Sequence, residues 1–147
     1  MAALNLVVIS GLSGSGKSHA LKAFEDAGYF CVDNLPPALL PTFVELCHQQ
    51  GGEIKNVALG IDIRERVFFG DLAKVLGELK AQGHALQLVF LEAREEVLVR
   101  RFSESRRPHP LLPHMPVVEG VRFERERLSE LRKHADRVID TSNITVH

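Results

Sequence analysis

Near its start the chain passes from a short apolar run through a cluster of glycines into a helical pattern. The apolar run, residues 4–10, is rich in Val and Ile, as are strands buried on both faces of a parallel sheet. The next eight residues read GLSGSGKS and satisfy the spacing G-x-x-x-x-G-K-[ST]. Apolar residues then recur at helical spacing as far as Gly28. Strand, glycine-rich loop and helix in this order predict a phosphate-binding loop.

Each residue type in this loop suits a multiply charged phosphate group. Glycines let the backbone curl so that consecutive N–H groups face one anion, and the helix that follows adds the positive end of its dipole. Lys17 is predicted to reach the β- and γ-phosphates, and Ser18 to ligate Mg²⁺. The predicted nucleotide-binding residues of the loop are Gly11, Leu12, Ser13, Gly14, Ser15, Gly16, Lys17 and Ser18.

The rest of the chain continues the alternation of strands and helices. Further strands are predicted at residues 29–32, 57–61, 86–91 and 137–140, and helices at 38–50, 67–81, 92–106 and 119–134. Five strands that alternate with helices predict an α/β fold with a doubly wound, mainly parallel sheet and helices on both faces. We expect residues 1–147 to form one domain of a longer protein.

Composition narrows the class of protein. The chain is 45% hydrophobic and 25% charged, which is ordinary for a globular domain, and its early apolar run is far too short to span a bilayer. We therefore expect a cytoplasmic protein without a membrane partner. The net charge of -1 gives the domain no overall basic surface for nucleic acid. The arginines are nevertheless concentrated between residues 94 and 137, where a local anion-binding surface is expected.

Two acidic residues compete for the principal Mg²⁺ role. Asp62 ends the sequence VALGID, an apolar strand followed by an acid, which is typical of a Walker B carboxylate. Glu92 ends LQLVFLE and has the same form on another strand. An acid at a helix start that stabilises the dipole is the other interpretation of Glu92. The sequence favours Asp62 and leaves Glu92 open.

Asp33 is predicted to lie at the carboxyl end of the second strand, where open parallel sheets hold their ligands. It could orient or deprotonate an acceptor hydroxyl group, or help to hold Mg²⁺. An Asx-turn before Pro36 explains the same residue equally well.

Two arginine pairs lie in the sequence RRFSESRRPHPLLPH, which begins at residue 100. Arg100, Arg101, Arg106 and Arg107 could form a lid over the transferring phosphates, because arginine forks suit phosphate oxygens. A solvated helix with local pairing to Glu104 is the structural alternative. Contact with RNA phosphodiesters is a third, but no series of aromatic residues supports it.

The order of these pieces resembles a known family. The stretches GLSGSGKS, ALKAFEDAGYFCVDNLPPALLP, DIR, RRFSESRRPHPL and IDTS are similar to the N-terminal domain of the RapZ/YvcJ family of bacterial P-loop proteins, which includes RNase adapters. The resemblance implies a fold related to P-loop kinases and binding of ATP and GTP. It also implies a second nucleotide-contacting stretch, formed by Asp62, Ile63, Arg64 and Glu65.

The same resemblance implies a regulatory role. Family members carry a C-terminal domain associated with binding of small RNA and with sensing of an amino-sugar phosphate, so small RNA and an endoribonuclease are expected as partners only of the full-length protein. Slow ATP or GTP hydrolysis is the most that is expected of this domain, and a homo-oligomer is left open. A small-molecule kinase is the alternative. Glu65 departs from the asparagine common in the family, which puts guanine nucleotide binding there in doubt.

Overall fold

A five-stranded parallel sheet forms the centre of the computed structural model, which describes residues 4–49, 54–61, 69–105 and 114–143. Its strands lie in the order β2-β3-β1-β4-β5. The strands are β1 (Asn5–Gly11), β2 (Phe30–Leu35), β3 (Asn56–Ile61), β4 (Ala85–Glu92) and β5 (Arg137–Asp140). The helices are α1 (Lys17–Asp26), α2 (Leu40–His48), α3 (Phe69–Ala81), α4 (Glu95–Ser105), α5 (Val117–Arg127) and α6 (Ser129–His134). This architecture confirms the predicted fold class.

Strand β1 lies in the middle of the sheet and is buried on both faces, as its unbroken apolar sequence predicts. Leu6 and Val8 point to a core formed with side chains of α2 to α6. Val7 and Ile9 point to the opposite face, where they pack with Leu21 of α1. Because β1 is held by β3 on one side and by β4 on the other, the chain that leaves it starts from a fixed point.

Strand β2 is longer than its sequence predicts. It continues through the polar residues Asp33 and Asn34 to Leu35, but its register with β3 shifts between Val32 and Leu35. Asn34 has a φ of 55°, a left-handed conformation that asparagine tolerates better than most residues. The polar pair therefore interrupts the ladder without ending the strand.

Two helix predictions are wrong at their boundaries. The helix expected from residue 92 begins at Glu95, and Glu92 is instead the last residue of β4. The single helix expected over residues 119–134 is divided into α5 and α6 at Leu128. After the break, the Ser129 hydroxyl donates a 2.8 Å hydrogen bond to the Glu126 carbonyl, a local contact that competes with continued helix. Both Leu128 and Leu131 are buried in the core.

Within the part of the chain that the structure describes, none of the helices has the length and apolar character needed to cross a membrane.

Alanine substitutions at Gly11 and Gly28 can be compared to test whether the close backbone contact at the end of β1 requires a glycine. Both have positive φ, +148° and +94°, but only at residue 11 would a Cβ meet neighbouring backbone, 2.8 Å from the Leu91 nitrogen. An alanine at either position bears backbone strain of about 1–2 kcal/mol. Gly11→Ala adds a collision, so we expect it to lower the free energy of unfolding, measured in urea, clearly more than Gly28→Ala. Equal losses would contradict this account.

Candidate functional site

Residues 11–18, here named the glycine-rich loop, connect the carboxyl end of β1 to the amino end of α1. The Leu12 N–H donates to the Leu91 carbonyl at 3.0 Å, which extends the contact between β1 and β4 into the loop. Gly14 and Gly16 then take φ values of +82° and +102°, which are strained for any side-chain-bearing residue. These two left-handed residues turn the backbone towards α1, so the residues predicted to bind phosphate form one curved segment.

Lys17 and Ser18 are the first two residues of α1. Lys17 is half-buried and Ser18 is exposed, as a metal-ligating hydroxyl group has to be. The first backbone N–H groups of a helix have no partner within it, and the dipole adds positive potential at the same end. The sequence therefore places a cation and a hydroxyl beside a helix N-terminus at the centre of the sheet.

Other predicted site residues lie outside the described residues. These are Asp62, Ile63, Arg64 and Glu65, together with Arg106 and Arg107. Asp62 directly follows Ile61, the last residue of β3, and β3 pairs with β1. Among the residues that are described, no group of three or more His, Cys, Asp or Glu side chains could hold a metal ion.

Glu92, the last residue of β4, forms ion pairs with arginines of α5 and α6. Its two carboxylate oxygens accept hydrogen bonds of 2.8 and 2.9 Å from the Arg132 guanidinium, and a nitrogen of Arg125 lies 3.6 Å away. The side chain is 15% exposed. Its interpretation as a helix-start acid is wrong, because α4 begins three residues later with Glu95 and Glu96 in its first turn. A bidentate arginine pair explains this carboxylate directly.

The Asp33 carboxylate lies over Gly60 of β3, on the face of the sheet that α1 covers. A Cβ at residue 60 would stand 2.5 Å from Asp33 Oδ1 and 2.9 Å from Leu21 Cδ1, so a side chain there would displace the carboxylate from its present position. Asp33 Oδ1 also accepts a 2.8 Å hydrogen bond from the Asn34 N–H. Asp33 is exposed, next to the strand that Asp62 follows. The bond to the adjacent N–H is not that of an Asx-turn, which bonds the N–H two residues further on, and the role of Asp33 towards an acceptor stays a prediction.

Arg101 reaches the glycine-rich loop through the loop backbone. Its guanidinium donates to the Gly14 carbonyl at 3.0 Å, and to the hydroxyl and the carbonyl of Thr141 at 3.2 and 2.6 Å. Burial, followed by the nearby charge of Arg100, lowers the pKa of Arg101 from its usual value. Arg100 itself is exposed on α4. Of the four predicted lid arginines, Arg101 is thus the one whose contacts with the loop are described.

Two residues at the loop were not singled out by sequence reasoning. Glu124 of α5 is 4% exposed, and it accepts hydrogen bonds of 2.6 and 2.7 Å from the backbone N–H and the hydroxyl of Ser13. Thr141, just after β5, donates a 2.7 Å hydrogen bond to the Ser15 carbonyl. The available signal for Glu124 was its position on the apolar face of α5 with Val121, Val117 and Leu128.

Several arginines of the basic segment are engaged by local acids. Arg94 pairs with Glu96 at 2.9 Å, and Arg122 pairs with Glu95 at 2.6 Å. Arg122 is also the main reason that the pKa of Glu95 is lowered. Together with the two arginines at Glu92, these pairs neutralise much of the positive charge that the segment has in its sequence.

The fold and the loop define a P-loop domain of the kinase-like class. Solved structures agree on the fold alone: shikimate kinase from Bacteroides thetaiotaomicron aligns over 94% of this chain and 87% of its own, with a TM-score of 0.59 and 16% identity. The tunicamycin resistance protein of Deinococcus radiodurans aligns over 98% of this chain and 90% of its own, with a TM-score of 0.61 and 16% identity.

The chain belongs to the RapZ-like N-terminal domain family, whose model matches residues 4–147. This confirms the family resemblance. This chain is 52% identical to a nucleotide-binding protein of Desulforudis audaxviator over 146 residues, which are 99% of this chain and 50% of that protein. It is 49% identical to a nucleotide-binding protein of Myxococcus xanthus, again over 99% of this chain and 50% of the relative. The chain thus spans about half the length of the curated relatives it matches.

Glu92→Gln tests whether this carboxylate is structural. The change removes the charge from a bidentate pair that is 15% exposed, and we expect the free energy of unfolding in urea to fall by about 1–3 kcal/mol. Glu130→Gln is the matched control, because Glu130 pairs with Lys133 at 3.3 Å with both side chains over 60% exposed. The control should change stability by less than about 0.5 kcal/mol. Similar effects of the two variants would refute a structural pair at Glu92.

Proposed function

We propose that this chain is a regulatory domain that binds a nucleoside triphosphate, ATP or GTP, with Mg²⁺. The observation that carries the proposal is the glycine-rich loop itself, in which left-handed Gly14 and Gly16 lead directly into a helix that begins with Lys17 and Ser18. Such a segment supplies several N–H donors, a helix dipole and an ammonium group to one anion. The relatives named nucleotide-binding proteins support the same reading.

The Mg²⁺ ion would be held by Ser18 and Asp62. The exposed hydroxyl of Ser18 and the carboxylate that follows β3 are hard oxygen ligands, which magnesium prefers. Glu92 is the weaker candidate, since its carboxylate oxygens accept hydrogen bonds from Arg132. When bound, the ion neutralises charge on the β- and γ-phosphates. Asp62, Ile63, Arg64 and Glu65 would form the second nucleotide-contacting stretch, and Arg106 and Arg107 would approach the phosphates from the lid.

The regulatory part of the proposal concerns the whole protein. Because the chain is about half as long as its relatives, we place the output of nucleotide binding in the remaining half. In an RNase adapter of this family, that output would be control of small-RNA processing and of amino-sugar metabolism in the cytoplasm. Small RNA and an endoribonuclease would then be partners of the longer protein, and self-association would be a property of that protein.

A small-molecule kinase is the second candidate, and the geometry of Asp33 favours it. Asp33 lies in the second half of β2, its carboxylate is close to Gly60 near the carboxyl end of β3, and Asp62 follows β3, so Asp33 lies where an acceptor hydroxyl group would have to be oriented. Asp33→Asn would then abolish phosphoryl transfer and leave triphosphate affinity nearly unchanged.

The fate of the γ-phosphate separates the two functions. Labelled ATP and GTP are incubated with the protein and Mg²⁺, with and without a pool of small metabolites. Slow release to water, or tight binding without turnover, supports the regulatory domain. Transfer to a metabolite well above the rate of release to water would make the protein a kinase. Absence of triphosphate binding would reject both.

Lys17→Ala is expected to abolish measurable triphosphate binding while the fold remains intact. It removes an ammonium group that is predicted to contact both the β- and the γ-phosphate; each hydrogen bond to a charged group contributes about 1.5–3 kcal/mol, so the two together are worth about a hundredfold or more in affinity. Lys22→Ala is the matched control, because Lys22 is exposed on the same helix and should leave the dissociation constant unchanged. Unchanged affinity in Lys17→Ala would remove the glycine-rich loop as the binding site.

Asp62→Ala is expected to eliminate Mg²⁺-dependent turnover while part of the nucleotide affinity is kept. Its comparison is Glu92→Gln, whose turnover should depend on Mg²⁺ as in the unchanged protein. The reverse pattern would exchange the two metal assignments.

A further inference from the structure

Three consecutive residues at the tip of the glycine-rich loop are each held by a side chain from the last third of the chain. Ser13 is bound by Glu124 of α5, the Gly14 carbonyl by Arg101 of α4, and the Ser15 carbonyl by Thr141 after β5. The distances are 2.6, 3.0 and 2.7 Å. We propose that Glu124, Arg101 and Thr141, here named the loop bracket, are positioning residues that set triphosphate affinity by fixing the shape of the loop.

Two of the bracket residues, Arg101 and Thr141, are bonded to each other. Arg101 donates to both oxygens of Thr141, and the Thr141 N–H donates to the Glu92 carbonyl at 2.8 Å, which ties the bracket to the end of β4. Thr141 is 5% exposed and Glu124 is 4% exposed. The bond from Thr141 to the Ser15 carbonyl is buried, and a buried hydrogen bond is stronger than the same bond in water.

Two members of the bracket bind carbonyl oxygens of the loop and one binds an N–H group. A phosphate needs N–H groups of the loop and of the first turn of α1, whereas Arg101 and Thr141 bind the Gly14 and Ser15 carbonyls. Bonding the Ser15 carbonyl directs the Gly16 N–H to the other side, because the C=O and N–H of one peptide point in opposite directions. The Ser13 N–H donates to Glu124 and the Ser15 N–H to the Leu12 carbonyl at 3.0 Å, so these two groups fix the loop itself.

Glu124 has two opposed effects on an anion at the loop. Its carboxylate orders Ser13 through two short hydrogen bonds, which favours binding, and it places a negative charge near the site, which disfavours binding. Burying a carboxylate costs free energy that an apolar residue on this face of α5 would not cost. An acid here is therefore better explained by the ordering of Ser13 than by packing, and we expect the ordering to dominate.

Ordering the loop matters because three of its eight residues are glycines. Glycine has the largest backbone freedom of any residue, so a loop without the bracket would lose more conformational entropy when it closes on a phosphate. A loop that is already shaped binds more tightly for the same contacts. The inference rests on the proposed triphosphate binding and names the residues that prepare the loop for it.

Thr141→Val and Thr141→Ser form the decisive pair of variants. Valine keeps the shape and burial of threonine but can neither donate to the Ser15 carbonyl nor accept from Arg101, whereas serine keeps the hydroxyl and loses the methyl group. We expect the ATP dissociation constant, measured by calorimetry on the intact chain with Mg²⁺, to rise about tenfold or more for valine and less than about twofold for serine, because valine loses the hydrogen bonds of the hydroxyl. Equal affinities in the two variants would overturn the proposal.

Glu124 provides an independent arm. Glu124→Gln keeps the size of the side chain and loses its charge, and we expect a rise of about threefold to tenfold in the dissociation constant. Tighter binding in this variant would overturn the proposal, because it would mean that repulsion of the anion dominates. Arg122→Gln is the control: Arg122 lies on the same helix, pairs with Glu95 at 2.6 Å and does not belong to the bracket, so affinity should not change.

Measuring the unfolding of each variant without nucleotide distinguishes a positioning role from a general effect on stability. A merely structural role for Thr141 would shift the unfolding midpoint and leave the ATP affinity of the folded protein unchanged, which is a result against the bracket. If the unchanged protein binds no triphosphate, the proposed function fails. If the unchanged protein binds and the variants bind equally well, the function stands and the bracket fails.

Discussion

The backbone of Gly11 lies against the backbone of Leu91, and the direction of the glycine-rich loop depends on that contact. Gly11 and Leu91 are partners in the ladder between β1 and β4, and the Leu12 N–H continues this ladder with a 3.0 Å bond to the Leu91 carbonyl. A side chain at residue 11 would stand where the Leu91 backbone is. The loop therefore leaves the sheet at a fixed place and angle, which in turn sets the positions of Lys17 and Ser18.

The loop combines two properties that usually oppose each other. Its glycines allow left-handed turns and close backbone approach, and the same residues make an isolated loop flexible. Polar side chains around it, Glu124 and Thr141 among them, hydrogen-bond the loop and limit that freedom. Under the proposed function, a loop ordered in this way has less conformational entropy to lose when a phosphate binds.

Local patterns were sufficient to predict the strands and the glycine-rich loop, because each of those features depends on neighbours in sequence. Five strands, the two-sided burial of β1 and the glycine-rich motif follow from periodicity and spacing, whereas the order of the strands depends on long-range pairing and was not predicted. The break at Leu128 was missed, since the apolar pattern of α5 continues across it. The roles of Glu92 and Glu124 depend on partners 40 and 111 residues away, and no local pattern specifies such contacts. Glu124 was visible only as an acid on an apolar helical face.

The long sequence separations between the loop and its partners mean that the loop is synthesised well before the residues that hold it. Ser13 meets Glu124 across 111 residues, and Ser15 meets Thr141 across 126. Synthesis proceeds from the motif towards its partners, and long-range parallel pairing is slow to form in any case. Until Thr141 has been added, the growing chain therefore contains the complete glycine-rich sequence without all of the interactions that shape it. A fragment that ends before Thr141 would keep the complete glycine-rich motif. It would lack the hydrogen bond from Thr141 to the Ser15 carbonyl, which is one of the contacts that hold the loop.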